Sequence, residues 1–214
     1  TGGAGVQADL KAIAAAGGYG MSVTTALVAQ NTQGVREIHT PPQSFLRAQL
    51  DAVFDDVAVD AVKVGMLGDT ETTHTVADYL AVRPVPVVVV DPVMVATSGD
   101  RLLSADAEAA LRQLVADHAT VVTPNIPELA LLTDEPEPDS FDAAVELGQR
   151  YAREADVQVL VKGGHLSGER ASNALVAPDG SAHVAEVPRV ATKNTHGTGC
   201  SLSSALATRM ALGS

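Results

Sequence analysis

The chain has 214 residues, 46% hydrophobic but only 3% aromatic and without tryptophan, and carries 26 acidic against 14 basic side chains for a net charge of −12. That is enough for one large domain or two small ones, with a core built from Ala, Val and Leu. An acidic chain without basic runs argues against nucleic-acid binding, no apolar run reaches the ~18 residues of a membrane span, and the single cysteine, Cys200, cannot form an internal disulfide, which fits a reducing, cytoplasmic setting. No signal peptide is visible, although the chain begins with Thr1 inside a glycine cluster.

Thr1 to Gly5 form a Gly-rich loop, followed by an Ala-rich helical segment from Val6 to Ala16 that stops at Gly17-Gly18. Gly3, Gly5 and Ala8 match the dinucleotide pattern G-x-G-x-x-A in form only. No strand precedes it, and the acidic residue expected ~20 positions on is missing. Ser22 to Ala29 reads as a strand ending in Gln30-Asn31-Thr32, and Pro41-Pro42 close a loop. Phe45, Leu46, Leu50, Val53 and Phe54 recur at helical spacing over 44–54. Val59 to Val64 reads as a strand and Thr70 to Val82 as a helix. The β-branched run Val87 to Val90 is too apolar to be half exposed and should be a central parallel strand. A helix over 104–116 has Ser104 as its N-cap. Thr120 to Thr123 is a short strand, followed by a helix that opens near Asn125 and ends near Thr133. The acidic, Pro-broken link 134–139 precedes a helix over 141–154. Val157 to Val161 is another buried strand. Residues 172–177 and 182–187 flank Pro178-Asp179-Gly180-Ser181 as a hairpin. Lys193 to Cys200 then form a Gly-rich turn that opens a final helix with Leu202, Ala205, Leu206 and Met210 on one face.

Strands alternate with helices almost throughout, without a repeat or an interdomain linker. This predicts an α/β fold with a largely parallel sheet and an antiparallel edge from the late hairpin. In such a sheet ligands bind beyond the carboxyl ends of the strands. Those ends carry Gln30, Gly65-Met66, Asp91, Asn125 with Glu128, and Lys162 with Gly163-Gly164. The turn Gly197-Thr198-Gly199 leaves backbone N–H groups free at the positive end of a helix dipole, which suits phosphate. A helix terminus also favours a thiolate in its first turn, making Cys200 a candidate base or nucleophile. A plain loop-to-helix junction with a small buried cysteine is the alternative. Together the groups suit phosphoryl transfer: cations and N–H groups neutralise phosphates, carboxylates hold Mg²⁺ directly or through water, and a base takes the acceptor proton. No G-x-x-x-x-G-K-[ST] motif occurs, so the chain is not a P-loop protein. A hydrolase pairing Cys200 with His196, His165 or another histidine is a further alternative.

Seven stretches, in order along the chain, resemble the hydroxymethylpyrimidine/phosphomethylpyrimidine kinases of thiamine biosynthesis, in the ribokinase-like superfamily. They are Gly2 to Asp9, Thr25 to Thr32, Lys63 to Leu67, Val90 to Met94, Thr123 to Glu128, Val161 to His165, and Lys193 to Cys200. The resemblance implies a three-layer sandwich with a mostly parallel central sheet. It also implies ATP-dependent phosphorylation of a hydroxymethyl group on an aminopyrimidine and then of the resulting monophosphate. It assigns Gln30 to the aminopyrimidine edge and Ala4, Val28, Met66 and Val93 to the walls around the ring. Gly197, Thr198 and Gly199 match the anion hole, and Cys200 matches the catalytic base. Asp91, Asn125 and Glu128 match the Mg²⁺ and phosphate neighbourhood, with Asp91 and Glu128 nearest the metal. Lys162 matches a lysine at the ATP phosphates, to which Asn125 and Thr198 also belong. It implies ATP and Mg²⁺ as cofactors, a small pyrimidine substrate, a homodimer, and a single kinase domain over 1–214 that lacks the family's first strand and last helices. A pyridoxal kinase of the same fold and a non-catalytic pyrimidine-binding module are the competing readings.

Overall fold

The computed structural model describes residues 2–32, 34–94, 103–192 and 194–213. Thr1 and Lys193, at the ends of two of the sequence stretches above, lie outside them. The core is a sheet of six described strands in the order β3 (Ala61–Val64), β4 (Val87–Val90), β5 (Val121–Val122), β6 (Gln158–Lys162), β7 (Asn173–Val176) and β8 (Ala182–Ala185). β3 to β6 run parallel, and β7 and β8 are added antiparallel at one edge. This is the sheet expected from the alternation of elements, with β4 paired on both sides.

The period of two along each strand divides the core into two layers. Val62, Val64, Val88, Val90, Val122, Val159, Val161, Ala174 and Val176 face one way. They pack with α2 (Gln43–Phe54), α3 (Thr70–Val82), α4 (Ala105–His118), α5 (Ile126–Thr133) and α6 (Phe141–Ala155). Ala61, Val87, Val89, Val121, Leu160 and Leu175 face the other way, against Leu206, Ala207 and Met210 of α7 (Thr198–Ala211), which pairs with α1 (Val6–Ala16). A sheet covered on both faces explains why β4 reads as four consecutive valines. Four of the described helices begin at side-chain caps, with Asp69, Ser104, Asn125 and Ser140 accepting from the N–H groups of Thr72, Ala107, Glu128 and Ala143. α6 lays Ala144, Leu147, Gly148, Tyr151 and Ala152 on the sheet. At Gly148 a Cβ would stand 2.5 Å from Val161 Cγ2, so this contact has no room for a side chain. No helix among the described residues is long and apolar enough to cross a membrane.

The expected strand over 22–29 is corrected. Only β1 (Leu27–Asn31) is extended, and it pairs outside the main sheet with β2 (Gly34–His39), antiparallel, with a bulge between Ala29 and Gln30. The segment before it is held by side chains instead. The Gln49 amide on α2 both accepts from Thr24 N (3.0 Å) and donates to Thr24 O (3.2 Å), and Thr25 Oγ1 donates to Met66 O at 2.7 Å. These bonds take up backbone groups that a strand would offer to a neighbour.

Candidate active site

The parallel strands all end on the same rim, and the ladder continues into the polar residues there. Asp91 N donates to Val64 O (2.8 Å), Thr123 N to Val90 O (2.9 Å) and Lys162 N to Pro124 O (3.1 Å). Asp91 and Lys162 are therefore placed by sheet hydrogen bonds as firmly as the valines below them. Their side chains meet, Lys162 Nζ to Asp91 Oδ1 at 3.0 Å, with 14% and 4% of the side chains exposed. Thr123 Oγ1 donates to the same oxygen at 3.1 Å and Ser203 Oγ to Asp91 Oδ2 at 3.3 Å. These donors supply the hydrogen bonds that a carboxylate this buried has lost from water.

Above this pair lies the start of α7. Gly197 is its N-cap, with φ +79°, a left-handed conformation that favours glycine. A Cβ at 197 would stand 1.6 Å from the Gly3 carbonyl oxygen, so the N-terminal Gly-rich loop rests directly on this turn. Thr198 N and Oγ1 bond to Thr195 O, and Ser201 N to Gly197 O. The N–H groups of Gly199 and Cys200 have no acceptor among the described residues, as the first turn of a helix requires. At Gly199 a Cβ would lie 3.6 Å from both Asp91 Oδ2 and Lys162 Nζ. The free N–H groups thus sit beside the buried ion pair, an arrangement that fits a phosphate group.

Asn125 and Glu128 open α5 as a capping box. Asn125 Oδ1 accepts from Glu128 N (2.9 Å) and Glu128 Oε2 accepts from Asn125 N (2.8 Å). Burial pushes the Glu128 carboxyl up to about 7, opposed first by the nearby Lys162 ammonium. Both carboxylates expected near a metal therefore already have protein partners. No group of three or more His, Cys, Asp or Glu side chains among the described residues forms a metal cage. Mg²⁺ does not need one, since it is bound through one or two carboxylates, water and substrate phosphates, and the Asp91–Glu128 rim fits that mode.

Every site residue named from the sequence lines one open cleft of about 2400 Å³: Ala4, Val28, Gln30, Met66, Asp91, Val93, Asn125, Glu128, Lys162, Gly197, Thr198, Gly199 and Cys200. A Cβ at Gly5 would be 4.0 Å from Gln30 Nε2, so the hairpin tip and the Gly-rich loop face each other across it. No hydrogen bond joins Cys200 to His165 or His196 among the described residues, and His196 Nε2 is buried there without a partner. Burial and then the Lys162 charge hold His165 below its usual pKa.

The sequence reading left out a second buried cluster. Asp9 Oδ1 accepts from Lys63 Nζ at 3.1 Å and from Ser204 Oγ at 2.8 Å, joining α1, β3 and α7. Lys63 has only 7% of its side chain exposed. Lys11 Nζ further ties Gly2 O at 2.7 Å. These bonds fix the Gly-rich loop over the α7 terminus. A lysine alternating with valines in a buried strand, as in Ala61-Val62-Lys63-Val64, was the available signal.

A mostly parallel sheet between helix layers, with the N-terminus of α7 beside a buried Lys–Asp pair at its carboxyl rim, defines an α/β fold of the ribokinase-like class. The chain belongs to the phosphomethylpyrimidine kinase family, whose model matches residues 1–214. It is 62% identical over 213 residues to the thiamine biosynthesis multifunctional protein ThiED of Corynebacterium efficiens, covering 100% of this chain and 29% of that protein. It is 46% identical over 207 residues to the hydroxymethylpyrimidine/phosphomethylpyrimidine kinase of Escherichia coli, covering 97% of this chain and 77% of that one. The chain thus spans less than a third of its corynebacterial relative. Among solved structures, phosphomethylpyrimidine kinase from Clostridium difficile superposes with a TM-score of 0.85 at 37% identity, over 100% of this chain and 87% of that one. An ADP complex of Bacillus subtilis pyridoxal kinase superposes with 0.90 at 32% identity, over 100% and 80%.

Proposed function

We propose that the protein is an ATP-dependent kinase that phosphorylates a hydroxymethyl aminopyrimidine and then its monophosphate in thiamine biosynthesis. The observation that carries this reading is the stacking of the α7 N-terminus on the Lys162–Asp91 pair. Gln30 offers both a donor and an acceptor to the aminopyrimidine edge, and Ala4, Val28, Met66 and Val93 enclose the ring. Cys200 takes the proton of the hydroxymethyl group. The freed oxygen attacks the terminal phosphorus of ATP, and the bond to the bridging oxygen breaks to release ADP. The N–H groups of the Gly197-Thr198-Gly199 turn hold the transferring group, and Lys162 and Asn125 hold the nucleotide phosphates. Asp91 and Glu128 would hold Mg²⁺ through water, where it neutralises phosphate charge. Residues 1–214 act as one kinase domain in the cytoplasm, in a homodimer.

Coupled ADP release from the full-length protein with Mg·ATP tests this, with hydroxymethylpyrimidine, its monophosphate and pyridoxal offered in parallel. Turnover of both pyrimidines is expected. Turnover of pyridoxal alone would favour the second reading, a pyridoxal kinase, which the superposition on the Bacillus enzyme supports. Cys200→Ala should lower turnover at least ~100-fold while pyrimidine binding persists, in line with the loss of a general base. Unchanged turnover would remove Cys200 from the mechanism. Pyrimidine binding by the wild type without any turnover would point to a binding module.

A further inference from the structure

The turn that leaves β6 beside Lys162 is held from outside the cleft by one side chain. Residues 163–170 carry Gly164 and His165 into the cleft wall. Arg189 lies beyond β8, and its guanidinium collects carbonyls from this single turn. Nε donates to Gly168 O at 2.8 Å and Nη1 to Gly164 O at 2.9 Å. Nη2 donates to Leu166 O and, at 3.0 Å, to Arg170 O. The acceptors are every second residue of the turn, which curls around one planar fork. The Arg189 backbone N–H adds a bond to Glu169 O at 2.8 Å. Only arginine has donors in a fixed plane for such an arrangement; an ammonium is a point charge that cannot span it.

We propose that Arg189 is a positioning residue for the nucleotide: by clamping the 163–170 turn it fixes the cleft wall beside Lys162 and so sets the affinity for ATP. This rests on the kinase reading, which gives the β3–β4 side of the rim to the acceptor ring (Met66, Val93) and the β5–β6 side to the nucleotide (Asn125, Lys162). Arg189 touches only the second side, and it acts through the turn without itself lining the cleft. Its loss should therefore separate the two substrates.

The test compares full-length wild type with Arg189→Gln, Arg189→Lys and Arg170→Ala. ADP binding is measured by calorimetry, and KM for Mg·ATP and for the pyrimidine is measured by turnover. Both Arg189 variants should weaken ADP binding and raise the KM for ATP about tenfold, the effect of roughly one charge-assisted hydrogen bond's worth of ordering. The pyrimidine KM and kcat should move less than about twofold. Arg170→Ala removes the exposed ion pair to Glu186 on the same turn but not the fork, and should change nothing. Unchanged ADP affinity, a loss confined to kcat, or full rescue by lysine would overturn the proposal. Should the glutamine variant fail to fold, the lysine variant decides, together with amide hydrogen exchange over 163–170. Faster exchange supports the clamp, and wild-type exchange refutes it. Wild type that fails to bind ADP would overturn the kinase reading itself. ADP binding by the wild type with unaltered variants would overturn the clamp alone.

Discussion

Glu128 makes the stability of this fold depend on pH in a direction opposite to that of most carboxylates. Its carboxyl is almost fully buried at the start of α5, and burial raises its proton affinity from the ordinary 4.5 to about 7. Below pH 4.5 the carboxyl is protonated in both the folded and the unfolded chain. Between 4.5 and 7 the unfolded chain releases its proton while the folded chain keeps it. Deprotonation therefore favours unfolding, and stability falls as pH rises through this window. A difference of that size corresponds to about 3 kcal/mol between the two ends of the window. Glu128→Gln keeps an oxygen to accept from Asn125 N and removes the titration. The assay is urea unfolding of both proteins at pH 4.5 and pH 8. The stability difference between variant and wild type should shift by about 3 kcal/mol in favour of the variant at the higher pH. Comparing the two proteins cancels every other titrating group. Parallel pH profiles would refute the account of Glu128 as a carboxyl that burial keeps protonated.

Two further perturbations bear on the rim. Gly197→Ala puts a methyl group into the Gly3 carbonyl and strains a left-handed backbone, so the chain should lose more than about 2 kcal/mol. Denaturation within 0.5 kcal/mol of wild type, on the order of an ordinary surface change, would contradict the close contact between the two Gly-rich loops. Lys162→Met strands the Asp91 carboxylate with only two hydroxyl donors and should cost about 3–5 kcal/mol. Adding Asp91→Asn should recover much of that stability without recovering turnover. Recovery of both would place the pair outside the chemistry.

The elements legible in the sequence were those with a single strong pattern. Val87–Val90 could only be a strand covered on both faces, and the cap Ser104 stands immediately before apolar spacing of helical period. The rim was legible because chemistry in a parallel sheet collects where strands end. β2 was not, because Gly34–His39 is exposed along its whole length, and burial had imposed no alternation on it. The Asp9–Lys63–Ser204 cluster joins residues up to 195 apart in the chain, beyond the reach of any local spacing. Arg189 was hidden for a related reason: its partners are backbone carbonyls, which no side-chain pattern announces. Glu128 was singled out for a metal and Asn125 for the nucleotide phosphates, but the capping box gives both a structural duty as well.

Among the described residues the β1–β2 hairpin shares no hydrogen-bonded ladder with the sheet that carries Asp91 and Lys162. Val28 and Gln30 can therefore be exchanged without altering the backbone that aligns the rim. Under the proposed kinase reading, the ribbon's share of the ring contact, Val28 and Gln30, is free to change on its own, whereas Met66 and Val93 stay tied to the sheet that aligns the rim.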